Sequence, residues 1–300
     1  MRPASSDLRS GRGSRISDSP APTHGGSHRA DVLPESLEIR GIATGNIRAQ
    51  HAAMKLTYLL VHGSWQGAWC WDGVRTHLEV RAHRVLAPTL PAHDEPGEDL
   101  CGIALADYVT AAEAALEIAG GEPVVLVGHS FGGAVITQLA DRCPGRIARL
   151  VYVSAFVPRD GESVGDLLPS EFRAGLERLA AARRDRAIAL PWALWRSAFM
   201  QTGDEPAARR AYDRLVPEPW APIFDPVRLP HRTSPVVPAA FVVFRDDRTM
   251  PPGYWQPRMT DRLAVPKIVE LDGDHETMLT APDRLAEALL ELGSGAPAQR

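Results

Sequence analysis

Ser130 sits in Gly128-His129-Ser130-Phe131-Gly132-Gly133, directly after the apolar run Val124–Val127. A helical pattern follows at once, with apolar residues at Ala134, Val135, Leu139 and Ala140, and it breaks at Pro144. A strand that stops at a glycine-flanked serine and turns immediately into a helix makes a sharp, strained elbow. The elbow lifts the hydroxyl clear of the sheet, and its glycines let backbone and helix approach closely. The helix N-terminus beside it favours developing negative charge. A serine held this way is a nucleophile that needs a base and an orienting acid.

Both partners stand downstream, in a definite order. The apolar run Ala239–Phe244 ends in Arg245-Asp246-Asp247-Arg248-Thr249-Met250-Pro251. Asp247, four residues before the proline, is preferred over Asp246 as the acid. Either one also reads as a loop carboxylate capping the next helix. The run Lys267–Leu271 then leads into Asp272-Gly273-Asp274-His275. His275 lies in a glycine-containing turn after a strand, placed to reach back to Ser130. The order serine, acid, histidine is that of the α/β-hydrolase triad. The remaining requirement is an oxyanion hole. In this fold one donor is the N–H after the nucleophile, here Phe131. The other comes from the loop after the first central strand, here Ser64, with Trp65 as the neighbouring alternative. His62 and His129 read as structural histidines that hold these two turns.

The elements that must position these residues alternate along the chain. Strands are expected at Leu56–Val61, His83–Ala87, Val124–Val127, Ile147–Val153, Ala239–Phe244 and Lys267–Leu271. Helices are expected at Trp69–Val80, Ile103–Ala119, Phe131–Arg142 and Pro282–Leu292. Regular alternation implies a mostly parallel sheet with helices on both faces. Ligands then bind at the carboxyl ends of the strands, where every candidate residue falls. Residues 158–235 break the rhythm, with helical patterns at Glu171–Arg183, Trp192–Met200 and Ala207–Leu215 and no clear strand. This stretch is expected to form an inserted helical cap. Trp65, Trp192, Trp195 and Phe199 are the candidate substrate-binding aromatics. The expected core is 54–157 with 236–293.

Residues 1–53 differ in kind. They are rich in Ser, Gly, Pro and Arg, carry more arginine than acid and have almost no aromatic residue, so a disordered tail is expected. Leu37, Ile39 and Gly41–Ile47 offer at most an edge strand. The segment lacks the apolar stretch of a secretory signal. A flexible end is expected over 294–300. The whole chain has a net charge of −4, which gives no reason to expect nucleic acid or an anionic membrane as partner. Its three cysteines, Cys70, Cys101 and Cys143, are far apart and fit a reducing, cytoplasmic compartment rather than a disulfide or zinc framework.

The stretches His62-Gly63-Ser64-Trp65-Gln66-Gly67-Ala68-Trp69-Cys70-Trp71, Gly128–Gly133, Ser154-Ala155-Phe156-Val157-Pro158 and Gly273-Asp274-His275 together resemble the hydroxynitrile lyase and plant methylesterase branch of α/β-hydrolases, with its bacterial esterase relatives. The resemblance covers about 56–160 and 238–292. It implies a serine hydrolase acting on a small hydrophobic or aromatic ester, without metal or organic cofactor, through Ser130, Asp247 and His275. Lyases of the branch carry threonine where this chain has Gly63 and lysine where it has Glu276, and both departures favour the esterase. A lactonase, thioesterase, C–C hydrolase or cyclase on the same triad is the alternative, and a ligand receptor that retains a triad is another. Epoxide hydrolases and dehalogenases of this fold use aspartate at the position of Ser130 and are disfavoured. The expected partner is a small-molecule substrate, with a homodimer left open.

Overall fold

The computed structural model describes residues 55–94, 100, 102–231, 237–264 and 266–294. The expected tail at 1–53, Cys101 and nearly all of the expected flexible C-terminus lie outside the described residues. Six strands form one parallel sheet in the order β2-β1-β3-β4-β5-β6. They are β1 (Thr57–Val61), β2 (Arg84–Leu86), β3 (Val124–His129), β4 (Ile147–Val153), β5 (Ala239–Phe244) and β6 (Lys267–Leu271). The chain runs outward from β1 to the β2 edge, returns to β3, and continues to β6. The interior strands β3 and β5 are buried throughout, as expected for a parallel sheet covered on both faces.

Alternate residues of each strand feed two separate cores. Leu59, Val61, Leu126, Tyr152 and Phe241 pack against α2 (Leu105–Ala119) and α3 (Gly132–Arg142). Tyr58, Leu60, Val125, Val127 and Val242 pack against α1 (Asp72–Glu79) and the closing helix. The period of two along each strand produces this division. Helix α2 shows the complementary period: Leu105, Tyr108, Val109, Ala112, Leu116 and Ala119 are buried on one face. Its start is held by the Asp107 carboxylate, which accepts the Ala104 N–H at 2.8 Å.

Between β4 and β5 the described chain contributes no strand to the sheet. It forms α4 (Val164–Leu167), α5 (Ser170–Ala181), α6 (Trp192–Leu194), α7 (Glu205–Tyr212) and α8 (Trp220–Phe224). The stretch expected to be one helix over Trp192–Met200 is instead the short α6 followed by a π-helical turn at Trp195–Phe199. After β5 comes α9 (Pro252–Thr260), which the sequence reading did not anticipate. Pro251 and Pro252 stand at its start, where prolines are tolerated because those N–H groups have no intrahelical acceptor, and Pro257 lies within it. Helices α10 (Thr277–Thr280) and α11 (Pro282–Ser294) complete the described chain.

Candidate active site

The strand register gathers the loops. Val61 pairs with Gly128 and His129 pairs with Val153, so the chain leaves β1, β3 and β4 side by side. Phe244 pairs with Leu271, which does the same for the turns after β5 and β6. All candidate catalytic residues therefore emerge at one end of the sheet.

Ser130 forms the apex after β3, with φ of 52°. That left-handed conformation is unusual for a residue with a side chain and is held by three main-chain bonds. Ser130 N–H donates to Val153 O at 3.2 Å, and Ser130 O accepts from Gly133 and Phe156 N–H at 3.1 and 3.0 Å. Two and three residues on, Gly132 and Gly133 must be glycine. A Cβ on Gly132 would lie 2.6 Å from His62 O, and one on Gly133 would lie 2.1 Å from Phe156 O. The elbow is thus wedged between the loops after β1 and β4.

His275 meets Asp247, not Asp246. Its Nδ1 is 2.7 Å from Asp247 Oδ2, with both side chains buried. Asp247 also accepts the Met250 N–H on Oδ1 at 2.7 Å and the Ser154 hydroxyl on Oδ2. Asp246 is exposed and, among the described residues, its carboxylate accepts only the Gly273 N–H, at 3.2 Å. Burial opposes the charged form of His275, but the Asp247 carboxylate, with Glu276 and Asp274 behind it, more than offsets this and raises its basicity above that of an ordinary histidine. The turn carrying it is braced on both sides. Asp274 accepts the Thr202 N–H and hydroxyl at 2.8 and 2.7 Å, and the Glu276 N–H at 3.1 Å. Sequence reasoning passed over Ser154, Asp274 and Thr202, whose partners are distant in sequence.

Ser64 and Phe131 flank Ser130 in the wall of one cavity. Among the described residues, neither Ser64 N–H nor Phe131 N–H donates to any acceptor. Trp65 N–H is different: it donates to Glu218 Oε2 at 2.9 Å. Of the two expectations for the loop after β1, Ser64 alone keeps a free N–H. His62 holds that loop, donating from Nδ1 to Gly63 O at 2.8 Å and accepting the Leu90 N–H on Nε2 at 2.9 Å. Burial keeps it neutral, with its pKa pushed down to about 3. His129 is buried behind the elbow, well below ordinary histidine basicity, and donates from Nε2 to His275 O at 3.0 Å. Both behave as structural histidines.

The cavity measures about 470 Å³, the size of a small-molecule site. Trp65 and Phe199 line it together with Phe156, Phe172, Leu176 and Trp255. Trp192 and Trp195, expected as substrate-binding residues, do not. The Trp195 indole is buried and donates to Ala208 O at 3.0 Å, which turns it into the segment's own core. Trp192 packs on Tyr212 beneath the Arg209 guanidinium. The π-helical turn is what brings Phe199 to the cavity, edge-on to His275 at 5.4 Å. Phe156 and Trp255 were missed: one lies in the loop after β4, the other in the proline-flanked α9. Among the described residues that line the cavity, Arg248 is the one charged side chain.

Glu276 occupies an unexpected place. It does not line the cavity. It is 1% exposed and its Oε2 lies 2.5 Å from Gln66 Nε2. Burial pushes its pKa up to about 8, against the stabilising pull of His275. At neutral pH the group is therefore largely an uncharged acid, turned away from the ligand space, so its charge does not act on a leaving group there.

A family model described as the alpha/beta hydrolase family matches residues 58–288. A carbendazim-hydrolysing esterase of Nocardioides sp. is 31% identical over 248 residues, covering 79% of this chain and 99% of its own length. Methylesterase 8 of Arabidopsis thaliana is 27% identical, covering 80% and 90%. Among solved structures, an extracellular alpha/beta-hydrolase from a Paenibacillus species, described as homologous in structure and function to tobacco salicylic acid binding protein 2, superposes with a TM-score of 0.74. It is 31% identical, and the match covers 79% of this chain and 99% of that one.

Proposed function

Because the chain belongs to the alpha/beta hydrolase family and its relatives are esterases, we propose that it hydrolyses small hydrophobic or aromatic carboxylic esters through Ser130, His275 and Asp247. The observation that carries this reading is the buried 2.7 Å contact between Asp247 and His275 at the strand ends that also present Ser130. Asp247 fixes the Nδ1–H tautomer, which leaves Nε2 as the basic nitrogen. His275 takes the Ser130 proton as Oγ bonds to the ester carbonyl. The π pair moves onto oxygen, and the Ser64 and Phe131 N–H groups donate to it. Collapse expels the alkoxide, protonated by His275, and water repeats the sequence to free the acid and Ser130. The apolar, aromatic lining supports an uncharged acyl or alcohol portion of the substrate. We place the protein in a reducing, cytoplasmic compartment, a reading supported by the free thiols of Cys70 and Cys143.

A fluorophosphonate probe on the full chain tests the nucleophile, alongside a screen of p-nitrophenyl esters, aryl methyl esters, thioesters and lactones. Ser130 is the expected labelled residue. Ser130→Ala is expected to lose on the order of 10⁴-fold or more in turnover while its melting temperature stays within a few degrees. Labelling of a different serine, or full activity in the variant, would refute the assignment.

A further inference from the structure

Trp65 follows the oxyanion donor Ser64 and adopts φ of 64°. Left-handed backbone is unfavourable for a bulky residue and persists only where the surroundings over-determine it. Three polar groups of Trp65 bind the segment between β4 and β5. Its N–H donates to Glu218 Oε2 at 2.9 Å, its indole N–H donates to Ile188 O at 2.7 Å, and its carbonyl accepts the Val216 N–H at 2.9 Å. Ile188 and Glu218 face each other across an isolated antiparallel bridge, with N–H···O distances of 2.7 and 3.0 Å. The anchors therefore move as one unit.

Glu218 is fully buried. Its second oxygen accepts the Tyr108 hydroxyl at 3.0 Å, and Oε2 also lies 3.0 Å from His93 Nε2. His93 Nδ1 faces Pro91 O at 2.9 Å, so both ring nitrogens meet acceptors, an arrangement that favours the charged ring. Burial opposes that charge, and the Glu218 carboxylate more than offsets it. A buried carboxylate with this many donors is costly to assemble. None of Glu218, His93 and Tyr108 is among the described residues that line the cavity, and Glu218 meets the loop after β1 only through Trp65 and His93.

We propose that Glu218 is the positioning residue of the oxyanion hole: by holding Trp65 it aims the Ser64 N–H, so the hole is complete only while the segment between β4 and β5 is docked on the core. This rests on the esterase reading above. The contribution is specific to the tetrahedral state, in which the oxygen carries charge. A residue that merely fastened the segment would instead change ground-state binding and stability.

The test uses the full chain, a p-nitrophenyl ester and two matched ketones. A trifluoromethyl ketone adds Ser130 Oγ to its carbonyl carbon; the π pair goes to oxygen, the proton goes to His275, and the hemiketal oxyanion occupies the hole. The methyl ketone of the same skeleton binds as an uncharged ground-state mimic. Glu218→Ala is expected to lower kcat by about 10²-fold, with KM within about threefold of wild type. The trifluoromethyl ketone should weaken by the same factor and the methyl ketone should not. Glu218→Gln keeps an oxygen for the Trp65 N–H and should recover to within about tenfold of wild type, with a smaller shift of the ketone ratio in the same direction. An alanine variant with kcat within threefold of wild type, or two ketones weakened alike, overturns the proposal. Should the alanine variant not fold, the ketone ratio in Glu218→Gln decides: an unchanged ratio overturns the proposal and a selective loss supports it. Failure of the esterase reading shows separately, as absence of Ser130 labelling in the wild-type protein.

Discussion

Two carboxyl groups near His275 are held in different ways. Asp247 faces it directly and also accepts from the Ser154 hydroxyl and the Met250 N–H, while Glu276, which follows His275 in the chain, turns to Gln66. The first arrangement makes His275 more basic than usual. A general base must be unprotonated, so kcat/KM should rise with pH through an inflection above pH 6.5, read from a pH–rate profile. Asp247→Asn should move that inflection down and cost about 10⁴-fold in kcat, through loss of the imidazolium partner and of the tautomer it fixes. The second arrangement has a stability signature. Glu276 titrates near 8 in the folded chain, far above an unfolded glutamate. Between those values the folded state holds the extra proton, so Glu276 makes stability fall as pH rises from about 5 to 8, by at most about 1.4 kcal/mol per unit. Glu276→Gln should remove that slope, and denaturant unfolding at pH 5.5 and 8 compares the two proteins. A variant more sensitive to high pH than wild type would contradict the burial of Glu276.

Elements were legible in the sequence where one periodicity ruled them. β4 and β5 begin and end where their apolar runs do, because an interior parallel strand is bounded by the first residues it cannot bury. The elbow was legible because its three glycines and one serine leave few alternative conformations. The segment between β4 and β5 was harder. Its short helices are set by tertiary contacts such as the Ile188–Glu218 bridge, and a window of sequence carries no trace of them. The expected single helix over Trp192–Met200 made Trp192, Trp195 and Phe199 look equivalent; the π-helical turn separates them. A paired substitution tests that separation. Phe199→Ala enlarges the cavity beside His275 and should raise KM for aryl esters by roughly tenfold, about 1.4 kcal/mol of lost contact, with a smaller change for short alkyl esters. Trp192→Ala should leave KM within about twofold of wild type. Equal effects on aryl-ester KM would mean that both rings contact substrate.

At the scale of the molecule, four distant stretches supply one site because the sheet order folds back on itself. Ser64, Ser130, Asp247 and His275 follow β1, β3, β5 and β6. That assembly was readable in advance, since each candidate closes a strand. The buried ties that hold it were not, because Ser154, Thr202 and Glu218 look like ordinary polar residues until their partners are seen. The form of the cavity also bears on reaction type. A Cβ at Gly63 would lie 3.0 Å from Ser130 Cβ, so a threonine there would crowd the nucleophile, and the bare glycine leaves room for an ester oxygen. The described residues that line the cavity include no lysine to receive cyanide, and Arg248 is the one charged side chain among them. The protein should therefore hydrolyse aryl esters and release no cyanide from mandelonitrile above the uncatalysed background, measured colorimetrically. Gly63→Thr should depress ester turnover. Cleavage of mandelonitrile faster than of any ester in the screen would overturn this preference.

The long excursion between β4 and β5 leaves and returns through strands that are hydrogen-bonded neighbours, Leu150 beside Ala239 and Val153 beside Val242. Such an insert is a natural unit of recombination, since exchanging it disturbs no rung of the ladder. Chimaeras that import the corresponding stretch from another family member should therefore fold and carry over the donor's preference for one ester over another. They should be catalytically competent only when the graft also brings acceptors for the main-chain and indole N–H groups of Trp65. Selectivity and competence would then be inherited separately, and a library of grafts could be sorted by the one before it is screened for the other.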